Sequence, residues 1–286
     1  PTLHTGIELF PNNEIQFSYS RRVDRPSHRQ INPYVDYSDS LNISSGNPKL
    51  NPQYVNSFEF GYSSMWNRTS FLTTLFLRQT DDVISAVSRL QNDGTTITTV
   101  ENIAENLSYG VEFITTHPIF NWWRVNANFS FFNTKIEDNI NTLYDDFSWT
   151  ARINSSMTMW EGIQMQINAS YSSPSVMVPM MGGFGGGGGG YRTAMMAQTQ
   201  LKELYSVDVA FRKDFMDGKL SLTLRASDIF NSRNFDSKTI GEGFFITNYR
   251  TTDSRNIFLG ISYRLDNNNN QRERRRTIGE EGSDDF

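Results

Sequence analysis

Cysteine is missing from all 286 residues, which excludes disulfides and thiolate metal sites and suits an exported protein without requiring export. No run of about 18 apolar residues occurs, so no transmembrane helix is expected. The opening PTLHTGIELF lacks the basic-then-apolar pattern of a signal segment, as in a processed chain or a fragment. Histidine is scarce, and His4, His28 and His117 are too scattered to form a ligand spacing. No nucleophile stands with a base in any recognisable arrangement, so neither catalysis nor a cofactor is expected. The net charge of -5 gives no reason to expect nucleic acid.

Apolar residues are also thin, at 37%, and mean hydropathy is negative, yet aromatics reach 13% with 21 Phe, 12 Tyr and 5 Trp. A disordered chain would lack the aromatics, and a soluble sandwich would carry more Val, Leu and Ile. The stretch FSWTARINSSMTMW, residues 147–160, alternates Phe147, Trp149, Ala151, Ile153 and Met157 with Ser148, Thr150, Arg152, Asn154 and Ser156. Such a period of two is a strand with one greasy and one polar face. Polar on average but rich in alternating aromatic strands, the chain fits an antiparallel transmembrane β-barrel with a wet interior.

Eleven candidate strands are legible, near 2–9, 14–23, 55–65, 69–80, 107–117, 122–134, 147–159, 163–173, 204–214, 219–228 and 255–265. Most reach the 9–11 residues or so that cross a bilayer at a tilt. Their connections alternate between short turns, as at Pro11-Asn12-Asn13, Trp66-Asn67-Arg68 and Glu161-Gly162, and long polar segments at 24–54, 81–106, 135–146, 174–203 and 229–254. Outer-membrane barrels sort their connections this way, with short periplasmic turns and long extracellular loops. Four of the five tryptophans, Trp66, Trp122, Trp123 and Trp160, sit at or beside short turns, the height where indoles prefer the headgroup boundary. Outer-membrane lipid is therefore an expected partner.

Charges keep to one face of the strands, as they should when Lys or Arg at the lipid midplane costs about 2–4 kcal/mol. The lumen face is expected to carry Arg22, Glu59, Glu112, Arg124, Arg152, Asn154 and Arg225. Strand 69–80 is ambiguous, because Leu72 and Phe76 share that face with Arg78. Eleven strands is an odd number, whereas complete bacterial barrels are even, so an N-terminal part is expected to be missing.

From residue 22 to 61 the sequence becomes specific. The pieces Arg25-Pro26, Asn32-Pro33, Gly46-Asn47-Pro48, Leu50 and Pro52, then Glu59 and Gly61, resemble TonB-dependent outer-membrane receptors, particularly the outer-membrane β-barrel family abundant in Bacteroidota. Ser227-Asp228-Ile229-Phe230-Asn231 is similar to a D-[IL]-F-N element of that family. One departure is Gln53, where the family commonly has Glu, which puts a loop contact in doubt. The resemblance implies a barrel of about 22 strands, with residues 1–265 its C-terminal half. It also implies a plug, energy from a TonB complex, and import of a siderophore, metal complex, peptide or glycan; a surface lipoprotein is a further expected partner. A passive porin, or a barrel subunit of an assembly or secretion complex, are the rival readings.

The last strand ends with Gly260, Tyr263 and Leu265, a pattern similar to the signal read by the barrel-assembly machinery, which strand addition to a free edge would recognise. Residues 266–286 carry charge blocks without periodicity and read as a disordered periplasmic tail. MGGFGGGGGGY at 181–191 is no phosphate loop, since the Lys-Ser/Thr pair is absent. The flanking Met177, Met180, Met181, Met195 and Met196 suit adaptable contact better than a soft-metal site, because no His or Cys joins them.

Overall fold

The computed structural model describes residues 1–137, 142–177, 199–241 and 244–265. In chain order come β1 (Thr2–Phe10), β2 (Asn13–Asp24), the one-turn helix α1 (His28–Ile31), β3 (Val35–Asp36) and β4 (Asn42–Ser45). Next are β5 (Gln53–Trp66), β6 (Thr69–Leu90), β7 (Thr96–Phe120), β8 (Trp123–Glu137) and β9 (Thr142–Thr158). A 3-10 turn at Trp160–Gly162 leads into β10 (Gln164–Ser172), β11 (Ser175–Met177), β12 (Thr199–Leu201) and β13 (Leu204–Phe215). β14 (Leu220–Ser227), β15 (Phe235–Gly241), β16 (Phe244–Arg250) and β17 (Asn256–Tyr263) complete the order.

The main sheet runs β1-β2-β5-β6-β7-β8-β9-β10-β13-β14-β17, eleven strands, each antiparallel to its neighbours. These are the eleven expected strands. The short turns close with left-handed residues, Asn12 (φ 64), Asn67 (φ 57) and Gly218 (φ 81), conformations that Asn and Gly adopt with least penalty.

Register fixes the two faces. One row runs Ile7, Ile15, Tyr62, Thr73, Phe113, Phe129, Ala151, Tyr171, Tyr205. The row one residue away runs Glu8, Glu14, Ser63, Leu72, Ile114, Asn128, Arg152, Ser170, Ser206. Because side chains alternate along every strand, the first row belongs to an apolar face and the second to a polar one. The apolar face stays exposed, with Leu75 at 53% and Phe60 at 45%, so the described residues provide no core to cover it. Leu72 and Phe76 do lie on the polar face, where Phe76 and Phe132 flank Gly110. A Cβ at Gly110 would stand 2.2 Å from the Phe131 carbonyl oxygen, so no larger residue fits between these strands.

Three of the expected loops need correction. The segments 81–106 and 135–146 are largely strand, because β6 and β7 run on to Leu90 and from Thr96, and β8 and β9 extend likewise. A register shift between Thr80 and Val83, with Asp82 at φ 57, moves the alternation out of phase. Segment 229–254 holds β15 and β16, which join β11 and β12 in a separate four-stranded sheet. Among the described residues the fully buried hydrophobics are Val83, Ile84 and Ile136, all in these extensions; Tyr144 and Val176 pack against the Val83–Ile136 pair.

Candidate functional site

The polar face gathers the charges that the sequence assigns to the lumen. Arg22 and Glu59 pair across register with Val55 and Ser18, Glu112 with Ser130, Arg124 with Ser156, Arg152 with Asn128, and Arg225 with Ala210, all at polar-face positions. Asn154 bonds Asn168 across β9 and β10. Glu112 accepts from Asn128 Nδ2 at 2.6 Å, and Glu59 accepts from Ser18 and Ser57, each at 3.4 Å. Arg225 is ion-paired with Asp208 at 3.2 Å. The side chains of Arg22, Arg124 and Arg152 make no hydrogen bond or ion pair among the described residues, and all three residues are exposed. Solvated cations and hydrogen-bonded carboxylates on one wall can hold, then release, polar groups that move past them.

At the end opposite the short turns, the wall is tied to its loops by buried polar contacts. Asp228, fully enclosed, takes four hydrogen bonds: from Ser232 N at 3.0 Å, Ser232 Oγ at 2.9 Å, Arg233 N at 2.9 Å and Ser254 Oγ. Burial opposes its charge, but the bonds from Ser254, Ser232 and Arg233 outweigh that and hold its carboxyl down to about 2. Asp208 in turn accepts from the Asp228 N–H at 2.8 Å and pairs with Arg233 at 2.9 Å. Both ends of segment 229–254 are thereby pinned to β13 and β14. Sequence reasoning noticed Asp228 as part of a motif but missed Asp208, Arg233 and Ser254, whose partners are far along the chain and leave no local signal.

The Gly46-Asn47-Pro48 stretch is a structural joint. Gly46 N–H donates to Asn32 O at 3.0 Å and Asn47 N–H to Gln30 O at 2.7 Å, while Asn47 Nδ2 reaches Val100 O at 2.9 Å. A Cβ on Gly46 would lie 2.4 Å from Asn32 O, so glycine is required. Arg25 and Pro26 lead into α1, and Leu50 and Pro52 into β5. At Gln53 the doubtful contact is present: its buried side chain accepts from Ile84 N–H at 2.9 Å and donates to Asp24 Oδ2 at 3.2 Å. An amide does both; a carboxylate could not donate to Asp24.

At the short-turn end stand Trp66, 83% exposed, Trp122, Trp160, 73% exposed, and Trp123, whose Nε1 donates to Ser155 Oγ at 2.8 Å. Phe120 and Trp122 stack with centroids 5.3 Å apart. β17 reaches the same end: Tyr263 pairs with Leu220, and Arg264 N–H donates to Lys219 O at 2.7 Å. Gly260 faces the polar side opposite Thr223, while Tyr263 and Leu265 are exposed. Apart from Met177, the methionine- and glycine-rich stretch lies outside the described residues, as does the tail at 266–286.

A model of the outer membrane protein beta-barrel family matches residues 1–263. No curated protein matches the chain. Among solved structures, the siderophore receptor PirA from Pseudomonas aeruginosa superposes with a TM-score of 0.57 at 16% identity, covering 82% of this chain and 39% of PirA. The copper transporter OprC superposes with a TM-score of 0.64 at 10% identity, covering 92% and 40%. The FrpB iron transporter from Neisseria meningitidis gives 0.55 at 14% identity, covering 92% and 38%. This chain thus spans about two fifths of each, and at such identities the likeness is one of fold.

Proposed function

The chain belongs to the outer membrane protein beta-barrel family, which places it in the outer membrane, and from that premise we propose that it is wall and loop structure of a TonB-dependent transporter. The observation that carries the reading is the two-faced sheet: an exposed apolar face suited to lipid backs a polar face holding Arg22, Glu59, Glu112, Arg124, Arg152 and Arg225. In this reading the polar face lines the path of the substrate and the seat of a plug, and mixed charges hold the plug while allowing it to be remodelled when pulled. The short turns face the periplasm, where the four tryptophans mark the headgroup boundary.

A metal complex is the cargo to test first, because the fold neighbours are named as a siderophore receptor, a copper transporter and an iron transporter; a peptide or glycan is the alternative. Uptake of labelled metal complexes by cells with and without the intact gene tests this. Loss of one complex's uptake on deletion, and equal loss when TonB is removed, is the expected outcome. Uptake that persists without TonB supports a passive porin, and an unchanged profile for every complex supports a barrel that serves assembly or secretion instead.

A further inference from the structure

Arg21 lies on the greasy side of the wall. It pairs across register with Asn56, two residues beyond the Tyr19–Phe58 pair and four beyond Phe17–Phe60, on the same face as Ile15 and Tyr62. A cation at the lipid midplane is strongly disfavoured, and near the interface it costs little, so the height of Arg21 decides what it can do. Eight residues separate it from Asn13 at the short turn, about 27 Å along the strand and about 20 Å above the turn once the strand tilts. An apolar band is about 25 Å tall, so the Arg21 backbone stands just inside the outer edge. The side chain then leans out of the band. Its guanidinium carbon lies 5.1 Å from the ring centre of Tyr54, a residue of the next outward pair, with Val23. The stem stays in apolar surroundings while the charge reaches headgroup level.

Polar groups suited to an anion stand around that charge. Tyr19 Oη donates to Asn56 Oδ1 at 3.2 Å, which leaves the Asn56 amide hydrogens to donate. Among the described residues the Arg21 side chain makes no hydrogen bond or ion pair, and Tyr54 meets it through the ring. Asp81, opposite Tyr54 on β6, accepts from Gln79 Nε2 at 3.1 Å and forms no ion pair with Arg21. β2 is flanked by β1 and β5, so Arg21 has both its strand neighbours. Further wall strands would join at β1 or β17, and a plug would lie against the opposite face. The membrane is therefore what covers Arg21, and away from the short turns that means its outer leaflet. We propose that Arg21, with the Asn56 amide and Tyr54 beside it, binds a phosphate group on an outer-leaflet lipopolysaccharide whose acyl chains lie along Phe17, Phe58 and Phe60. A guanidinium fits phosphate through two parallel N–H donors, and low dielectric at the boundary strengthens the pair.

The whole protein in neutral detergent is mixed with diphosphoryl lipid A, or with the same lipid stripped of its phosphates, and bound lipid is counted by native mass spectrometry. Arg21→Gln should weaken binding of the phosphorylated lipid at one site by about tenfold, as expected for a charge-assisted contact, and leave the stripped lipid unaffected. Arg21→Lys should retain part of the affinity, since an ammonium holds phosphate without the paired donors. Asp81→Asn should increase it, because a neighbouring carboxylate opposes the anion. Lys213→Gln, on the same face at the short-turn end, should leave that site unchanged. Each variant should still run as a folded barrel in unboiled gels, because Arg21 is exposed. Equal binding of the two lipids, a lipid A count indifferent to Arg21→Gln, or displacement of lipid A by millimolar inorganic phosphate would overturn the proposal. The site rests on the outer-membrane setting alone, so its outcome is independent of TonB and of the cargo.

Discussion

Asp228 is the most completely enclosed polar side chain among the described residues, and its carboxylate is anchored by groups from two separate stretches of chain. Its carboxyl is lowered from 3.8 to about 2, which corresponds to about 2 kcal/mol favouring the folded, ionised form. The sign follows from the lowered value: the contribution is complete above about pH 4 and disappears as pH falls through about 2. Asp228→Asn should therefore weaken the anchor by about 2 kcal/mol at pH 7, read as faster hydrogen exchange across 229–233 with the barrel's urea midpoint little changed. By contrast Arg89→Ala, which removes a bridge to Glu101 at 2.6 Å between side chains 55% and 30% exposed, should change stability by less than about 1 kcal/mol. The two cases differ in burial, which decides how much a charged side chain gains from its partners over water.

Among the elements, the joint between the 24–54 segment and the β6–β7 hairpin makes the sharpest prediction. Gln53→Glu would set a second carboxylate beside Asp24 in a site where Gln53 is 1% exposed. Destabilisation of about 2 kcal/mol is expected at pH 7, shown by a lowered urea midpoint, with recovery when Asp24→Asn is added. Retained stability in the single variant would show that the amide's donation to Asp24 contributes little to the joint. Gly46→Ala should likewise loosen the α1 joint, because its Cβ would meet three carbonyl oxygens, those of Asn32, Gln30 and Arg29, and limited proteolysis across 24–54 should accelerate.

The same elements show what can be read from a sequence. Strands such as 123–131 and 204–213 were legible because alternation ran unbroken from turn to turn, and the seven charged or amide residues assigned to the lumen fall on one face for that reason. The outer halves of β6 and β7 read as loop in the sequence, because a bulge at Asp82 puts the two halves of β6 out of phase. β15 and β16 lie in a polar stretch that pairs with itself and with β12 rather than with the wall. The Asp208–Asp228–Arg233 knot was illegible for another reason: its order comes from contacts 20 and 25 residues apart in sequence, to which periodicity is blind.

For the whole molecule, the chain is wall: an outer-membrane sheet whose greasy side is left uncovered by the described residues. Phe129→Arg, mid-strand on that side, should cost about 2–4 kcal/mol in a bilayer, while Asn128→Arg on the polar side should cost far less, as bilayer urea titrations would show. The most direct test of the two-faced wall is a nitroxide scan of residues 123–131 in lipid vesicles, comparing collision rates with oxygen dissolved in lipid and a nickel chelate dissolved in water. Labels at 125, 127, 129 and 131 should meet oxygen and exclude nickel, and labels at 124, 126, 128 and 130 should do the reverse. A scan without that alternation, or one in which Phe129 and Phe131 positions exclude both reagents as a dry protein interior would, contradicts the account.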